Sequence, residues 1–377
     1  MDKDLTAQRA EALGTEKVFR LILQYALPAI AMMLISSLYN IVDKIFVGNF
    51  VGQIGITATT VAHPIVRFVD AFAILVGAGG STLLALRLGE GKSEQAEDIL
   101  NNSFLLMFLL CAVLILTGYL FPEQLLRMFG AREEVMPYAL IYLRIVLAGA
   151  FFNSVANSFG LFVRVDGSPR RMMVCSVTGC LLNIILDPVA IYVLNLGIAG
   201  AAIATAVSQF VSGMMVIHYF TLSRRSTIKL RLKKLRLRRE ATLKSAELGF
   251  SSFLQQFTGS LSQSILLSCL AIFATAQTVS GAVAQASVGI TISVGLIFLF
   301  PALGISSAIQ PIIGYNYGAG DKAELKSLLR HSVTLLLALG FLMMLVSELS
   351  AGPAARLFVG YDPELSALTK HVFPFFV

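Results

Sequence analysis

The sequence predicts an all-α polytopic membrane protein built as two six-helix lobes, with the second lobe truncated. Three observations lead to this fold class. The 377 residues are 56% hydrophobic and 14% charged, with a mean hydropathy of +0.78, which is too apolar for an ordinary soluble domain. Apolar runs long enough to cross a bilayer as helices recur along the whole chain. The second half of the chain also repeats the first half at one fixed spacing.

The apolar runs predict ten membrane-spanning helices, numbered here as spans 1 to 10. Each run is continuous and of helix length, whereas barrel strands would be short and would alternate in polarity. Residues 1–20 are charged and the first run is long, so we expect it to remain as a span and not to be cleaved as a signal. The predicted spans cover residues 21–47, 54–86, 99–121, 136–163, 171–194, 198–222, 246–276, 280–315 and 327–348, with a last one starting near 365.

An internal repeat appears at an offset of 229 residues without a gap. The loop LGEGKSEQAEDIL matches YGAGDKAELKSLL, so that Gly89 and Gly91 fall on Gly318 and Gly320. Six spans precede the midpoint, so both halves start from the same side of the membrane and the repeat is parallel. The offset places Val377 on Ala148, inside span 4, and we therefore expect a twelve-span protein of which this chain lacks the last two spans.

Basic residues predict the orientation and the domain boundaries. They are concentrated in residues 1–20 and in the even-numbered loops, so the positive-inside rule places these in the cytoplasm. We expect the net charge of +7 to reflect this topology and contact with membrane lipids, and we expect no nucleic acid as partner. The run SRRSTIKLRLKKLRLRRE indicates a solvated linker that touches anionic lipid. The predicted order is a cytoplasmic segment, an N-lobe, a basic linker and a partial C-lobe, at 1–20, 21–222, 223–245 and 246–377.

Two acidic residues lie deep in the N-lobe, where an ionised carboxylate is costly. At about 1.5 Å per helical residue, Asp43 of span 1 and Asp187 of span 5 both fall in the outer half of the membrane. An alternative is that Asp43 pairs with Lys44 and caps its helix near the interface. Amides and a hydroxyl fall nearby on spans 1, 4, 5 and 6, namely Asn40, Asn153, Asn157, Asn183, Thr205 and Gln209.

These residue types predict an oxygen-rich cavity that holds a proton or a hard cation such as Na⁺. The candidate Na⁺ ligands are Asp43, Asp187, Asn183 and Thr205, and the further candidates for lining the cavity are Tyr39, Asn40, Asn157, Gln209 and Gln256. Arg67 and Asp70 of span 2 stand three residues apart and suggest a mainly structural intramembrane pair. The C-lobe contributes only neutral polar groups to its spans, so we expect the acidic chemistry to be confined to the N-lobe.

Four motifs together resemble the multidrug and toxic compound extrusion (MATE) family: LYNIVDKIFVG, GGSTLLALRLGEGK, VRVDGSPRR and LLNIILDPV. The resemblance covers essentially the whole chain. It implies twelve helices in two lobes around a central cleft, and export of organic cations in exchange for Na⁺ or H⁺. The family's coupling residues carry over to Asp43, Asn183, Asp187 and Thr205, with Asn153 as a further match. Lys44 departs from the pattern, which has a small or neutral residue there, and a cation at this position would favour an ionised Asp43.

The sequence and the resemblance together predict a secondary antiporter in the cytoplasmic (inner) membrane, with its N-terminus in the cytoplasm. It would be a monomer that exports amphipathic, cationic compounds and needs no cofactor beyond H⁺ or Na⁺ as coupling ion. It would not be an enzyme. A lipid-linked saccharide flippase of a related fold is the alternative within transport, and it predicts a cavity rich in basic residues. A non-transporting receptor or scaffold is the alternative from another class, and it gives no reason for acids at matched depth.

Overall fold

A computed structural model describes residues 18–51, 53–129, 131, 133–223, 225–273 and 281–359. The regular elements within these residues are all helices. Seven of the described helical stretches are long and apolar enough to cross a membrane, at 20–39, 54–89, 93–120, 136–165, 169–193, 197–221 and 322–346. The predicted tenth span, from about 365, lies outside the described residues.

The N-lobe contains spans 1 to 6. Span 1 is Val18–Phe50, span 2 is Gln53–Gly89 and span 3 is Ser93–Leu120, followed by the short helix Pro122–Met128. Span 4 consists of Met136–Ser154, a π-helical turn Val155–Phe159 and Gly160–Val165; span 5 is Pro169–Pro188 with a π-helical turn Val189–Val193; span 6 is Gly197–Thr221. Spans 4 and 5 therefore each contain a π-helical turn next to predicted site residues. Such turns are frequent at functional sites.

The C-lobe begins earlier than predicted. Span 7 is Arg239–Phe273, span 8 is Gly281–Ala319 and span 9 is Lys322–Val359. The linker predicted at 223–245 therefore loses its last seven residues, 239–245, to the first turns of span 7. The apolar run alone placed the start at 246, because a helix that continues into the cytoplasm carries polar residues there and gives no hydropathy signal.

Close helix packing joins the two lobes along span 2. A Cβ built on Gly79 would lie 1.7 Å from the Ser245 carbonyl oxygen of span 7, and one on Gly249 would lie 1.9 Å from the Leu75 carbonyl oxygen. Span 1 joins the other lobe as well, because Ile22 and Ala26 belong to a buried cluster with residues of spans 8 and 9. Small residues at such crossings let membrane helices approach to van der Waals distance, which is how they associate without a hydrophobic driving force.

The backbone follows the predicted repeat. Gly91 and Gly320, which are 229 residues apart, have φ values of 74° and 76° in the turns that end spans 2 and 8. Such left-handed turns favour glycine because a side chain is strained there. The two-lobe design predicted from the sequence is therefore confirmed in the described part of the chain.

Most of the described basic side chains of the linker are exposed, and its backbone is also hydrogen-bonded to the start of span 3. Asn101 of span 3 donates to the Lys229 carbonyl oxygen at 3.0 Å and accepts from the Arg231 N–H at 2.7 Å. Asn102 accepts from the Arg238 N–H at 2.7 Å. Glu97 and Asp98 of the same helix end form salt bridges with Arg231, Lys234 and Arg238, at 2.9 to 3.1 Å. Two buried asparagines thus satisfy linker backbone groups that would otherwise need water.

Candidate functional site

The carboxyl groups of Asp43 in span 1 and Asp187 in span 5 lie within electrostatic reach of each other. Asp187 is 0% exposed, and Asp43 is partly buried. Two ionised carboxylates near each other in a poorly solvated site repel, so a proton or a cation at the pair is stabilising. The arrangement is therefore an acidic pair between two helices that can take up positive charge.

Asn183 connects this pair to span 6. Its amide makes its best hydrogen bonds when Nδ2 donates to Asp187 Oδ2 at 2.9 Å and Oδ1 accepts from the Thr205 N–H at 3.2 Å. Asn183 and Thr205 are 2% and 6% exposed. Asn183 precedes Asp187 by one helical turn, which places both side chains on the same face of span 5. The predicted grouping of Asp187, Asn183 and Thr205 is thus present in the structure.

Two tyrosines lie at the same cluster. Tyr39 of span 1 lies beside Thr205 and within electrostatic reach of Asp43 and Asp187. Tyr142 of span 4 is buried within electrostatic reach of Tyr39 and of both carboxyl groups. Tyr39 was predicted as cavity lining. Tyr142 was not predicted, and its only signal in the sequence is a phenol deep in an apolar span, where the hydroxyl needs a polar partner.

The span 4 asparagines form a different group from the one predicted. Asn153 donates to both carboxylate oxygens of Asp70 in span 2, at 2.9 and 3.1 Å, and Ser154 donates at 3.5 Å. Asn157, which is exposed, donates to Asn153 Oδ1 at 3.2 Å. The sequence grouped Asn153 with Asp187 because the two residues fall at similar depth in their spans. In the structure, span 4 is rotated so that the Asn153 side chain faces Asp70 of span 2. Asp70 is 4% exposed and takes these hydrogen bonds, while Arg67 influences it through its charge.

The other predicted lining residues are dispersed. Gln209 of span 6 packs against span 4, where its Oε1 would lie 2.7 Å from a Cβ on Gly149. Gln256 of span 7 is partly buried, and its carbonyl oxygen accepts from Ser260 at 2.9 Å. The side chains of Asn40 and Lys44 lie outside the described residues, and with them the alternative that Lys44 pairs with Asp43.

Spans 1, 4, 5 and 6 together form what we call the acid cluster: Tyr39, Asp43, Tyr142, Asn183, Asp187 and Thr205. Its chemistry is that of oxygen ligands around a buried carboxyl pair. Such a set can bind and release a proton, or coordinate a hard cation once both carboxyl groups are ionised. Pro188 follows Asp187 directly and begins the change to the π-helical turn, so the backbone beside the acid is already released from a regular helix.

Comparison with known proteins identifies the family. The profile of the MatE family matches residues 28–189 and 259–377. The multidrug export protein MepA of Staphylococcus saprophyticus is 28% identical over 322 residues, which are 83% of this chain and 67% of MepA. MepA of Staphylococcus haemolyticus is 27% identical over 361 residues, which are 94% of this chain and 76% of that protein.

Solved structures have the same fold. An outward-facing multidrug resistance MATE transporter of the MOP superfamily is similar with a TM-score of 0.87 at 25% identity, over 96% of this chain and 79% of the other. A MOP superfamily transporter from Pyrococcus furiosus gives a TM-score of 0.85 at 26% identity, over 96% and 78%. The chain therefore belongs to the MATE family of multidrug efflux transporters, which are multi-pass proteins of the cell membrane and not enzymes.

Proposed function

We propose that this protein is a secondary antiporter that exports amphipathic, cationic compounds in exchange for H⁺ or Na⁺, with the acid cluster as its coupling site. The observation that carries the proposal is the position of Asp43 beside the buried Asp187, which is itself hydrogen-bonded to Asn183. The names of the MepA relatives, which are multidrug export proteins, support the substrate class. The distribution of basic residues supports an N-terminus in the cytoplasm. We further propose that the monomer, in contact with membrane lipids, is the working unit.

Coupling follows from the carboxyl pair. With one proton, Asp43 and Asp187 attract each other and hold spans 1 and 5 together. Without it, two like charges would lie in contact in a poorly solvated site, which favours either separation of the helices or entry of a cation. An ion drives transport only if it binds the two conformations with different affinity. The state of this pair is therefore the property that would differ between inward- and outward-facing forms.

Aromatic side chains between the lobes offer a surface for amphipathic cations. Phe68 and Phe72 of span 2 lie 5.2 Å apart between ring centroids, and Phe72 lies 5.0 Å from Phe253 of span 7. Phe257 continues the group, at 6.0 Å from Phe68. Phe68 is 40% exposed. Aromatic faces attract organic cations through their quadrupole while also offering apolar contact, so we propose this group as part of the drug-binding surface.

The test is efflux of a fluorescent organic cation from vesicles that contain this chain, driven separately by a pH gradient and by a Na⁺ gradient. We expect gradient-driven efflux that is lost in Asp187→Asn and in Asp43→Asn. Glu133→Gln serves as control, since Glu133 is an exposed carboxylate outside the spans. Efflux that responds to neither gradient, or that persists in Asp187→Asn, would contradict the proposed coupling site.

A further inference from the structure

Four arginines line a single cavity at the end of the N-lobe that the charge distribution assigns to the cytoplasm. The cavity has a volume of about 520 Å³, and its walls come from span 1, from the turn between spans 4 and 5, and from the start of the linker. Among the described residues, its lining contains no acidic side chain. The lining residues are Arg20, Leu23, Gln24, Leu27, Gly167, Ser168, Pro169, Arg170, Arg171 and Arg225. We refer to this cavity as the arginine pocket.

Three of the four arginines form no salt bridge with the described residues. None of the salt bridges there involves Arg20, Arg170 or Arg171. The acidic residue nearest to Arg170 and Arg171 in sequence, Asp166, is engaged elsewhere: its carboxylate accepts from the Tyr219 hydroxyl at 2.6 Å and from the Thr227 N–H at 3.2 Å. Guanidinium groups around one cavity attract an anion, which they bind through charge-assisted hydrogen bonds.

The start of span 5 adds to the positive potential. Ser168 is the N-cap residue, but its hydroxyl makes no capping hydrogen bond and instead donates to the Tyr219 hydroxyl oxygen at 2.9 Å, because the single Tyr219 proton goes to Asp166. The first turn of a 20-residue helix therefore points its positive end at the pocket without a side-chain cap. Backbone N–H groups at such an end favour phosphate and other oxyanions.

Leucine side chains extend the pocket toward the membrane interior. Arg20, Leu23 and Leu27 follow one face of span 1 at spacings of three and four residues, so the leucines lie deeper than the arginine. Leu23 is 36% exposed and Leu27 is 62% exposed. A soluble phosphate compound would make no favourable contact with the exposed leucines that lie deeper than Arg20. A phospholipid needs both features, because its headgroup is anionic and its acyl chains are apolar.

We propose that the arginine pocket binds the phosphate headgroup of an anionic phospholipid of the inner leaflet, with an acyl chain along Leu23 and Leu27. Basic pockets between membrane helices on the cytoplasmic side commonly bind such headgroups. The site is distinct from the acid cluster, because Arg20 and Asp43 are 23 residues apart on span 1, or roughly 35 Å at 1.5 Å per residue. The lipid would tie together the start of span 1, span 5 and the linker.

The chain contains no tryptophan, so Leu27→Trp places a single fluorescent reporter in the pocket. Quenching of the tryptophan fluorescence is measured in mixed bilayers of phosphatidylglycerol and phosphatidylcholine. In one set only the phosphatidylglycerol is brominated, and in the other only the phosphatidylcholine. We expect phosphatidylglycerol to be preferred at this site. The preference should fall by roughly fivefold for each arginine removed in Arg170→Ala and Arg171→Ala, the factor that corresponds to ~1 kcal/mol per basic residue at a membrane surface.

Two controls make the result decisive. Leu329→Trp reports from an exposed leucine that has Lys326 and Arg330 as neighbours but is not part of the pocket, and it measures general attraction of anionic lipid. Added inorganic phosphate tests for a soluble ligand. Raised salt tests the role of charge in the protein that keeps all its arginines, so that no further substitution can disturb folding. Equal quenching by both lipids at Leu27→Trp, an equal preference at Leu329→Trp, or displacement of the lipid by phosphate would each overturn the proposal.

Discussion

Gly89 of span 2 and Gly318 of span 8 are 229 residues apart in sequence and lie against each other's helices at the lobe interface. A Cβ on Gly89 would lie 2.0 Å from the Tyr315 carbonyl oxygen, and one on Gly318 would lie 2.2 Å from the Leu86 carbonyl oxygen. Equivalent residues of the two halves thus make reciprocal backbone contacts. The internal repeat therefore also shapes the contact between the two lobes.

Gly89→Ala and Gly318→Ala should each destabilise the protein, because the added methyl group meets backbone that cannot rotate away. Overpacking of this kind costs about 1–3 kcal/mol. Gly340→Ala in span 9 is the matched control, since nothing lies within 4 Å of its added Cβ. We expect the control to be as stable as the original chain or slightly more stable, by up to about 1 kcal/mol of helix propensity. Thermal unfolding in detergent measures this, and equal midpoints for all three variants would contradict the contact.

Asn153→Ala should lower stability by about 1–3 kcal/mol, the cost of leaving a buried polar group without its partner. Asn153 gives Asp70 two of its hydrogen bonds, and Asp70 is buried between spans 2 and 4. Asn157→Ala is the control, because that side chain is exposed and donates to Asn153 Oδ1, not to Asp70. If both variants unfold at the same temperature, the Asp70 group does not hold the two spans together.

Asn101→Ala should release the linker from the end of span 3 and speed up tryptic cleavage between residues 229 and 238. Asn101 satisfies two linker backbone groups at once. Glu97→Gln is the comparison, because it removes the charge that pairs with Arg231 and Lys234 and leaves the backbone hydrogen bonds of Asn101 in place. We therefore expect a larger increase in cleavage rate for Asn101→Ala. A larger effect of Glu97→Gln would mean that charge and not backbone hydrogen bonding holds the linker.

Stability should depend on pH through Asp166, in the turn between spans 4 and 5. Burial raises the pKa of Asp166 from 3.8 to about 6, although hydrogen bonds from Thr227 and Tyr219 oppose this rise. The folded protein then holds this proton more tightly than the unfolded chain does. The contribution is therefore full below about pH 4 and is lost as the pH rises through 6. The difference corresponds to roughly 3 kcal/mol.

Asp166→Asn removes the titrating group and keeps an oxygen that can accept from Thr227 and Tyr219. We expect the thermal midpoint of the original chain to fall between pH 4.5 and pH 7 by more than that of the variant, since other groups contribute equally to both. Identical pH profiles would show that Asp166 does not titrate in this range.

The all-α membrane fold, the two-lobe repeat and the similar depth of the two acids all follow from the order of residues alone. Hydropathy runs of helix length leave no other way to satisfy the backbone in lipid, and a buried carboxyl group is too costly to be incidental. The depth of Asp43 and Asp187 followed from counting residues along two helices.

Which side chains meet depends on how the helices pack, and the sequence does not show this. Depth says how far a residue lies along a helix axis, but the rotation of the helix decides what it faces. This rotation turns Asn153 toward Asp70 and brings Tyr142 to the acid cluster. The linker shows the same limit. Its charge predicted exposed side chains, but the hydrogen bonds between its backbone and two buried asparagines depend on packing against span 3. The arginine pocket likewise gathers residues 20, 170, 171 and 225, which no local pattern connects, because their proximity depends on packing between elements that are distant in sequence.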